Sequence, residues 1–242
     1  MARIAAFFDI DGTIYREGLI TETFKKFITY ELVDQQKWFD EVRPAYMKWD
    51  HRVGEYDDYL MKMTRIYMDT IKNLSSIHIK HIAKRVIEQK GDRVYTFTRD
   101  EIARHKEAGH LVIAISGSPY ELVSEMAKKH GFDDCMGTVY KVDEDGNYTG
   151  EIIPMWDSRS KLQAIETLCK RYDIDLSQSY AYGDTCGDFT MFEKVGHPYA
   201  MNPTRELLGK IKENEEVKNK IKIIVERKDV VYEMDVDHLK LR

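Results

Sequence analysis

The chain has 242 residues, 43% hydrophobic and 33% charged, with a net charge of −5 and a pI near 5.9. That fits one large domain or a core with a smaller insert, and the acidic balance excludes the basic footprint of a nucleic-acid binder. Three cysteines without a CxxC spacing exclude a disulfide scaffold, and no apolar segment approaches the ~20 residues that cross a bilayer.

The first predicted strand covers residues 3–8, and Asp9 ends its apolar run too early for a secretory h-region. With the cysteine usage, this points to a cytoplasmic protein. Over residues 21–89, Phe24, Phe27 and Ile28, then Tyr59, Met63, Ile66 and Tyr67, recur at helical spacing, so an all-helical insert is expected. Its aromatic residues Trp38, Tyr46, Trp49, Tyr56 and Tyr59 read chiefly as helix packing, with a substrate pocket as the alternative.

Strand and helix signals alternate after Gly91-Asp92. Residues 98–109 read as a helix stopped by Gly109, and 111–115 as a buried parallel strand. Ser118-Pro119 reads as the N-cap and first position of a helix ending at Gly131. Residues 137–142 and 148–153 flank Asp143-Glu144-Asp145-Gly146-Asn147, a hairpin signature. A helix over 158–172, a strand over 180–182, a short helix over 189–195, a strand over 198–201 and a helix over 203–214 follow. The lysines between positions 210 and 228, interleaved with glutamates from Glu206 to Glu226, read as a solvated mixed face. Residues 221–226 and 230–234 are β-like and suggest a sheet-edge extension or a homodimer contact. The alternation as a whole implies an α/β fold with a doubly wound, mostly parallel sheet.

Four segments carry chemistry. Asp9-Ile10-Asp11-Gly12-Thr13 lies at the C-terminal end of the first strand, where open α/β sheets bind ligands. Two carboxylates two residues apart can divide the work, one as an ionised nucleophile and metal ligand, the other held protonated as a general acid. A calcium loop is excluded, because Ile14 stands where that pattern requires glycine; Tyr148 excludes it for the Asp143 segment. Ser116-Gly117-Ser118, after the second strand, offers a hydroxyl and main-chain N–H groups to an anion. Lys161 falls in the first turn of its helix, where a cation is disfavoured by the helix dipole unless an anion lies nearby. Gly183-Asp184-Thr185-Cys186-Gly187-Asp188 places acids four apart at a third strand end, which suits a hard oxygen-ligated cation such as Mg²⁺. Each segment alone has an ordinary structural explanation, and their joint order is the signal. His78 and His81 form the one close histidine pair and read as a surface pair.

Together these segments resemble the haloacid dehalogenase (HAD) superfamily of phosphatases, and more narrowly the branch that includes phosphoserine phosphatase. The resemblance implies a Rossmann-like core over residues 1–15 and 93–242, with a helical cap domain over 16–92. It implies Asp9 as the nucleophile forming an aspartyl-phosphate, and Asp11 as the acid for the leaving oxygen and then the base for water. Ile10, Ser116, Gly117 and Lys161 would hold the phosphate. Asp9, Asp11 through its main-chain carbonyl, Asp184 and Asp188 would form the Mg²⁺ site. Asp11 also separates the chain from the superfamily's dehalogenases. The chain departs from phosphoserine phosphatases at Gly12, at Ser118-Pro119, at Gly187 and at Gly18, which stands where those enzymes carry a substrate-reading glutamate. Arg16, Glu17, Arg43, Trp49 and Arg52 are candidate substrate contacts from the insert. The expected activity is hydrolysis of a small phosphorylated metabolite. The alternatives are a phosphotransferase or phosphomutase using the same intermediate, and a phosphate-binding switch without turnover.

Overall fold

The computed structural model describes residues 2–54 and 56–239. Strand β1 (Ala5–Phe8) is followed by helix α1 (Leu19–Thr29), then α2 (Gln35–Lys37), which passes through a π-helical turn into α3 (Arg43–Asp50). Helices α4 (Tyr56–Ile71), α5 (Ser76–Lys90) and α6 (Thr96–Glu107) complete the stretch before β2 (Leu111–Pro119). Among the described residues, this interval contains helices and no strand. Then come α7 (Tyr120–His130), the β3 (Asp134–Val142) and β4 (Tyr148–Ile153) hairpin, and α8 (Ser158–Tyr172). Strand β5 (Tyr180–Gly183), α9 (Phe189–Lys194), β6 (His197–Met201), α10 (Arg205–Glu213) and α11 (Glu215–Lys220) lead to the final strands β7 (Lys222–Arg227) and β8 (Val230–Met234).

The eight strands of the described residues form one sheet in the order β4-β3-β2-β1-β5-β6-β7-β8. The pairings from β3 through β7 are parallel, and β4 and β8 close the two edges antiparallel. The chain winds outward from β1 on one side and then returns to β5 on the other. The switch point, where α/β sheets open a crevice beyond their strand ends, therefore falls at the C-terminal ends of β2, β1 and β5.

Side-chain alternation along the central strands builds two cores. Ala6, Phe8, Val112 and Ala114 face the layer that includes the helical insert, while Ala5, Phe7, Ile113 and Ile115 face α8 to α11. Because both faces are covered, β1 and the first five residues of β2, Leu111 to Ile115, are apolar at every position, the signature of buried parallel strands. Inside the insert, Trp38, Tyr46, Trp49 and Tyr59 pack ring against ring, the packing role expected of them; the Tyr56 side chain lies outside the described residues. His78 and His81 are both exposed on α5. No helix among the described residues is long and apolar enough to cross a membrane.

Local signals locate most boundaries. Gly109 and Gly131 take positive φ of 73° and 70° just past their helices, as helix-ending glycines do. In the β3–β4 turn, the Asp143 carboxylate accepts the Asp145 and Asn147 N–H groups at 3.0 and 2.8 Å, an ordinary Asx arrangement. The end strands β7 and β8 do extend the sheet.

Two expectations are corrected. Strand β2 continues through Ser116, Gly117 and Ser118 to Pro119, and α7 starts at Tyr120 without a side-chain cap, so Ser118 is not an N-cap. Glu226 does not belong to a solvated face. It is 8% exposed, and it accepts the Thr96 and Phe97 N–H groups of α6 at 3.0 and 2.9 Å and an Arg16 N–H at 3.1 Å. Unpaired N–H groups at a helix start attract a carboxylate, which is why this glutamate turns inward.

Candidate active site

Beyond Phe8 the chain leaves the sheet as a tight turn. The Ile10 carbonyl accepts N–H groups from Thr13, Ile14 and Tyr15, and the Ile10 side chain is buried in the core, so any role at a phosphate falls to its main chain. Gly12 occupies φ +80°, and a Cβ there would lie 2.0 Å from Asp184 Oδ2. The turn thus closes against the β5 loop only because this residue has no side chain. Thr13, fully buried, donates its hydroxyl to Asp184 Oδ1 at 3.3 Å.

Three carboxylates and one cation meet at this point. Asp9, Asp184 and Asp188 each offer an oxygen within 4.8 Å of the others. Lys161, 2% exposed, donates to Asp9 Oδ1 at 2.8 Å and to Asp188 Oδ1 at 2.5 Å. It reaches them because Asp157 caps α8 through the Ser160 N–H at 2.9 Å, which fixes the first turn and aims Lys161 inward. The other Asp188 oxygen accepts the main-chain N–H groups of Asp184 and Thr185, both at 3.0 Å. Asp188 therefore both pairs with the lysine and shapes the loop that presents Asp184.

The electrostatics follow from burial and crowding. Desolvation, more than the neighbouring Asp188 and Asp11, pushes the Asp9 carboxyl up to about 7 against the pull of Lys161. Asp184 is raised well above the usual carboxylate range, first by burial and then by the charges of Asp9 and Asp188. Burial alone would lower the Lys161 ammonium, but Asp188 and Asp9 reverse that and raise it. Ionised together, as a bound cation would require, the three acids outweigh the one lysine and leave a surplus of negative charge in a largely buried space. An all-oxygen donor set with that surplus fits a hard divalent cation such as Mg²⁺.

Asp11 stands apart from the cluster. Its Oδ1 accepts the Leu19 N–H at 2.8 Å, and its Oδ2 is hydrogen-bonded by the Ser118 hydroxyl. Desolvation raises its carboxyl, while the bonds from Ser118 and Leu19 draw it back. This partner explains the missing helix cap: a charge-assisted bond to a carboxylate is stronger than one to a main-chain N–H. Ser116 is fully buried, and its Oγ accepts the Ser118 N–H at 3.3 Å. At Gly117 a Cβ would lie 2.8 Å from Trp156 Cβ, and at Gly187 one would lie 2.6 Å from the Trp156 carbonyl oxygen. Both loops therefore close around the chain just before α8.

The four predicted segments thus converge at one strand-end crevice. Of the insert candidates, Arg16 is engaged by Glu226 and the Val94 carbonyl, and Glu17 by Arg93 at 2.9 Å. Arg43 and Arg52 lie over the rings of Phe39 and Trp49. Sequence reasoning passed over Thr13, Trp156 and the true partner of Ser118. For Thr13 the signal was its place in the motif; for Trp156 there was none.

The model of the haloacid dehalogenase-like hydrolase family matches residues 6–193. An "inhibition of morphological differentiation protein" of Streptomyces azureus is 30% identical over 211 residues, 86% of this chain and 74% of its own length. A probable phosphatase of Mycobacterium tuberculosis is 30% identical over 210 residues, 85% of this chain and 71% of its own. Among solved structures, a protein of unknown function from Bordetella pertussis Tohama I aligns with a TM-score of 0.69 at 18% identity, covering 88% of this chain and 96% of that one. A phosphoserine phosphatase solved as a phospho-aspartyl intermediate analogue aligns with a TM-score of 0.58 at 21% identity, covering 95% and 96%. At these identities the solved structures speak for the fold alone. The sequence relationship carries the rest: the chain belongs to the haloacid dehalogenase-like hydrolases and is an enzyme of that family.

Proposed function

We propose that the protein is a Mg²⁺-dependent phosphatase that hydrolyses a small organic phosphomonoester in the cytoplasm through an aspartyl-phosphate. The observation that carries this reading is the meeting of Asp9, Lys161, Asp184 and Asp188 within one buried cluster at the switch point, with a second acid, Asp11, two residues along the same turn. Asp9, the main-chain carbonyl of Asp11, Asp184 and Asp188 would hold Mg²⁺. Bound there, the ion would offset the charge of the phosphate and of the acids around it.

In the first step an Asp9 oxygen attacks phosphorus. The bond from phosphorus to the leaving oxygen breaks, its electron pair stays on that oxygen, and Asp11 supplies the proton. The alcohol departs and Asp11 is left as a carboxylate. In the second step Asp11 takes a proton from water as the water oxygen attacks phosphorus. The bond to Asp9 then breaks and inorganic phosphate is released, so both residues return to their starting states. Negative charge spreads over the phosphoryl oxygens in flight. Lys161, Ser116 and the main-chain N–H groups of Ile10 and Gly117 would meet it, the form of stabilisation that dominates such transfers. The helical insert would close over the bound ester and exclude bulk water.

Relatives named as phosphatases support the reaction class, and the phosphoserine phosphatase captured as a phospho-aspartyl intermediate analogue supports the covalent step by analogy. The test is release of phosphate from p-nitrophenyl phosphate and from a panel of phosphorylated metabolites, with Mg²⁺ present. Asp9→Asn should abolish turnover while circular dichroism and the unfolding transition stay those of a folded protein, and EDTA should silence the wild type. Wild-type rates in Asp9→Asn would overturn the nucleophile assignment.

A further inference from the structure

The Asp11 carboxyl is held at two points that belong to different parts of the molecule. Oδ1 accepts the first N–H of α1, from Leu19, at 2.8 Å; the N-cap of that helix is Gly18, which supplies no side-chain bond. Oδ2 is bonded by the Ser118 hydroxyl at the end of β2, on the core side. A carboxyl anchored through one oxygen still turns about χ2, a broad and nearly two-fold torsion. A second anchor from a different backbone segment removes that freedom. Ser118 can supply it because its own position is fixed. It is 6% exposed, it lies in a strand, and its N–H is held by Ser116 Oγ.

Esters differ in what they ask of this carboxyl. Phenolate or alkoxide needs a proton as its bond to phosphorus breaks, whereas p-nitrophenolate leaves without one. We infer that Ser118 is a positioning residue that aims the Asp11 carboxyl at the leaving oxygen, and through it decides how well esters with poor leaving groups are turned over. The inference rests on the function proposed above.

The experiment measures kcat and KM for p-nitrophenyl phosphate and for phenyl phosphate, in the wild type, Ser118→Ala and Ser118→Thr, with saturating Mg²⁺. Loss of an aimed proton donor costs ~10-fold or more where the leaving group needs the proton. In Ser118→Ala the ratio of kcat/KM for p-nitrophenyl over phenyl phosphate should therefore rise ~10-fold, because kcat/KM reads the ester-dependent first step and not the hydrolysis of the aspartyl-phosphate that both esters share. Ser118→Thr, which keeps the hydroxyl, should restore the wild-type ratio. Equal falls in kcat/KM for both esters, or no fall for either, overturn the inference. If Ser118→Ala does not fold, Ser118→Cys, close in size and a poor donor, carries the same comparison. A wild type without Asp9-dependent activity on either ester refutes the underlying function. One with that activity and an unchanged ratio in Ser118→Ala refutes only the role of Ser118.

Discussion

Replacing Lys161 by methionine removes a positive charge from a site that holds three carboxylates, while keeping a side chain of similar length. Lys161 Nζ lies 2.8 Å from Asp9 Oδ1 and 2.5 Å from Asp188 Oδ1, and all three residues are buried. Removing one member of a buried pair costs ~3–5 kcal/mol, because the charge left behind has neither water nor a partner. This site has one relief. The Asp9 carboxyl already sits at about 7, chiefly through burial, and loss of the lysine pushes it higher. The variant can then take up a proton near neutral pH at ~1.4 kcal/mol per pH unit. The lower end of the range, ~3 kcal/mol, is therefore expected at pH 8 in EDTA. For a chain of this size each kcal/mol moves the melting midpoint by ~2–4 °C, so the variant should melt roughly 6–12 °C below the wild type. At pH 6, with Asp9 protonated in both proteins, the gap should narrow, and a divalent cation should narrow it at pH 8. Calorimetric melts of both proteins at the two pH values, with EDTA and with Mg²⁺, provide the check. A variant as stable as the wild type at pH 8 in EDTA, or a gap that widens on acidification, would refute the argument.

The wild type should carry the same signature more weakly. The folded pKa of Asp9, about 7, lies above its ordinary 3.8, so between those values the folded state binds more protons than the unfolded one. The contribution is full below about pH 4 and lost as pH rises to about 7, so the metal-free protein should melt lower at pH 8 than at pH 5. Mg²⁺ binds ionised carboxylates, so the rise in melting midpoint on adding it should grow across that interval; a constant rise would contradict the assignment. Gly12→Ala places a methyl group 2.0 Å from Asp184 Oδ2 at a positive φ. The backbone strain costs ~1–2 kcal/mol, and displacement of Asp184 should raise the Mg²⁺ concentration for half-maximal activity ~10-fold or more. An unchanged Mg²⁺ titration would show that Gly12 does not set the position of Asp184.

Much of this arrangement was legible because the signals are local. Alternating apolar strands and amphipathic helices gave the α/β sheet, and four motifs at strand or helix ends gave the site, since the switch point of such a sheet brings those ends together. What was not legible is partnership across the chain. Lys161 reads as any surface lysine until its partner 152 residues away is known. Ser118-Pro119 carries a true local cap signal, yet a carboxylate 107 residues earlier outcompetes the helix for its hydroxyl. In the insert, periodicity identifies helices but not which aromatic ring meets which, so Trp49 could be placed on a helix and not against Tyr59.

Glu226 takes the same point further, because it joins segments that carried no functional reading. The chain enters the insert past Arg16 and leaves it past residues 93–96. Arg16 N–H donates to the Arg93 carbonyl at 3.1 Å, and Arg16 Nε donates to the Val94 carbonyl at 3.1 Å. Glu226 accepts from Arg16 on the way in and from Thr96 and Phe97 on the way out, while its own N–H is held by Asn202 Oδ1 at 3.0 Å. Both crossings between sheet and insert therefore meet at one buried carboxylate on β7. Eight residues before α1 begins, the same entry segment carries Asp11, whose Oδ1 holds the start of that helix. The sheet extension at the C-terminal end of the chain thus fixes the root of the insert, and the root of the insert in turn fixes one oxygen of the second acid.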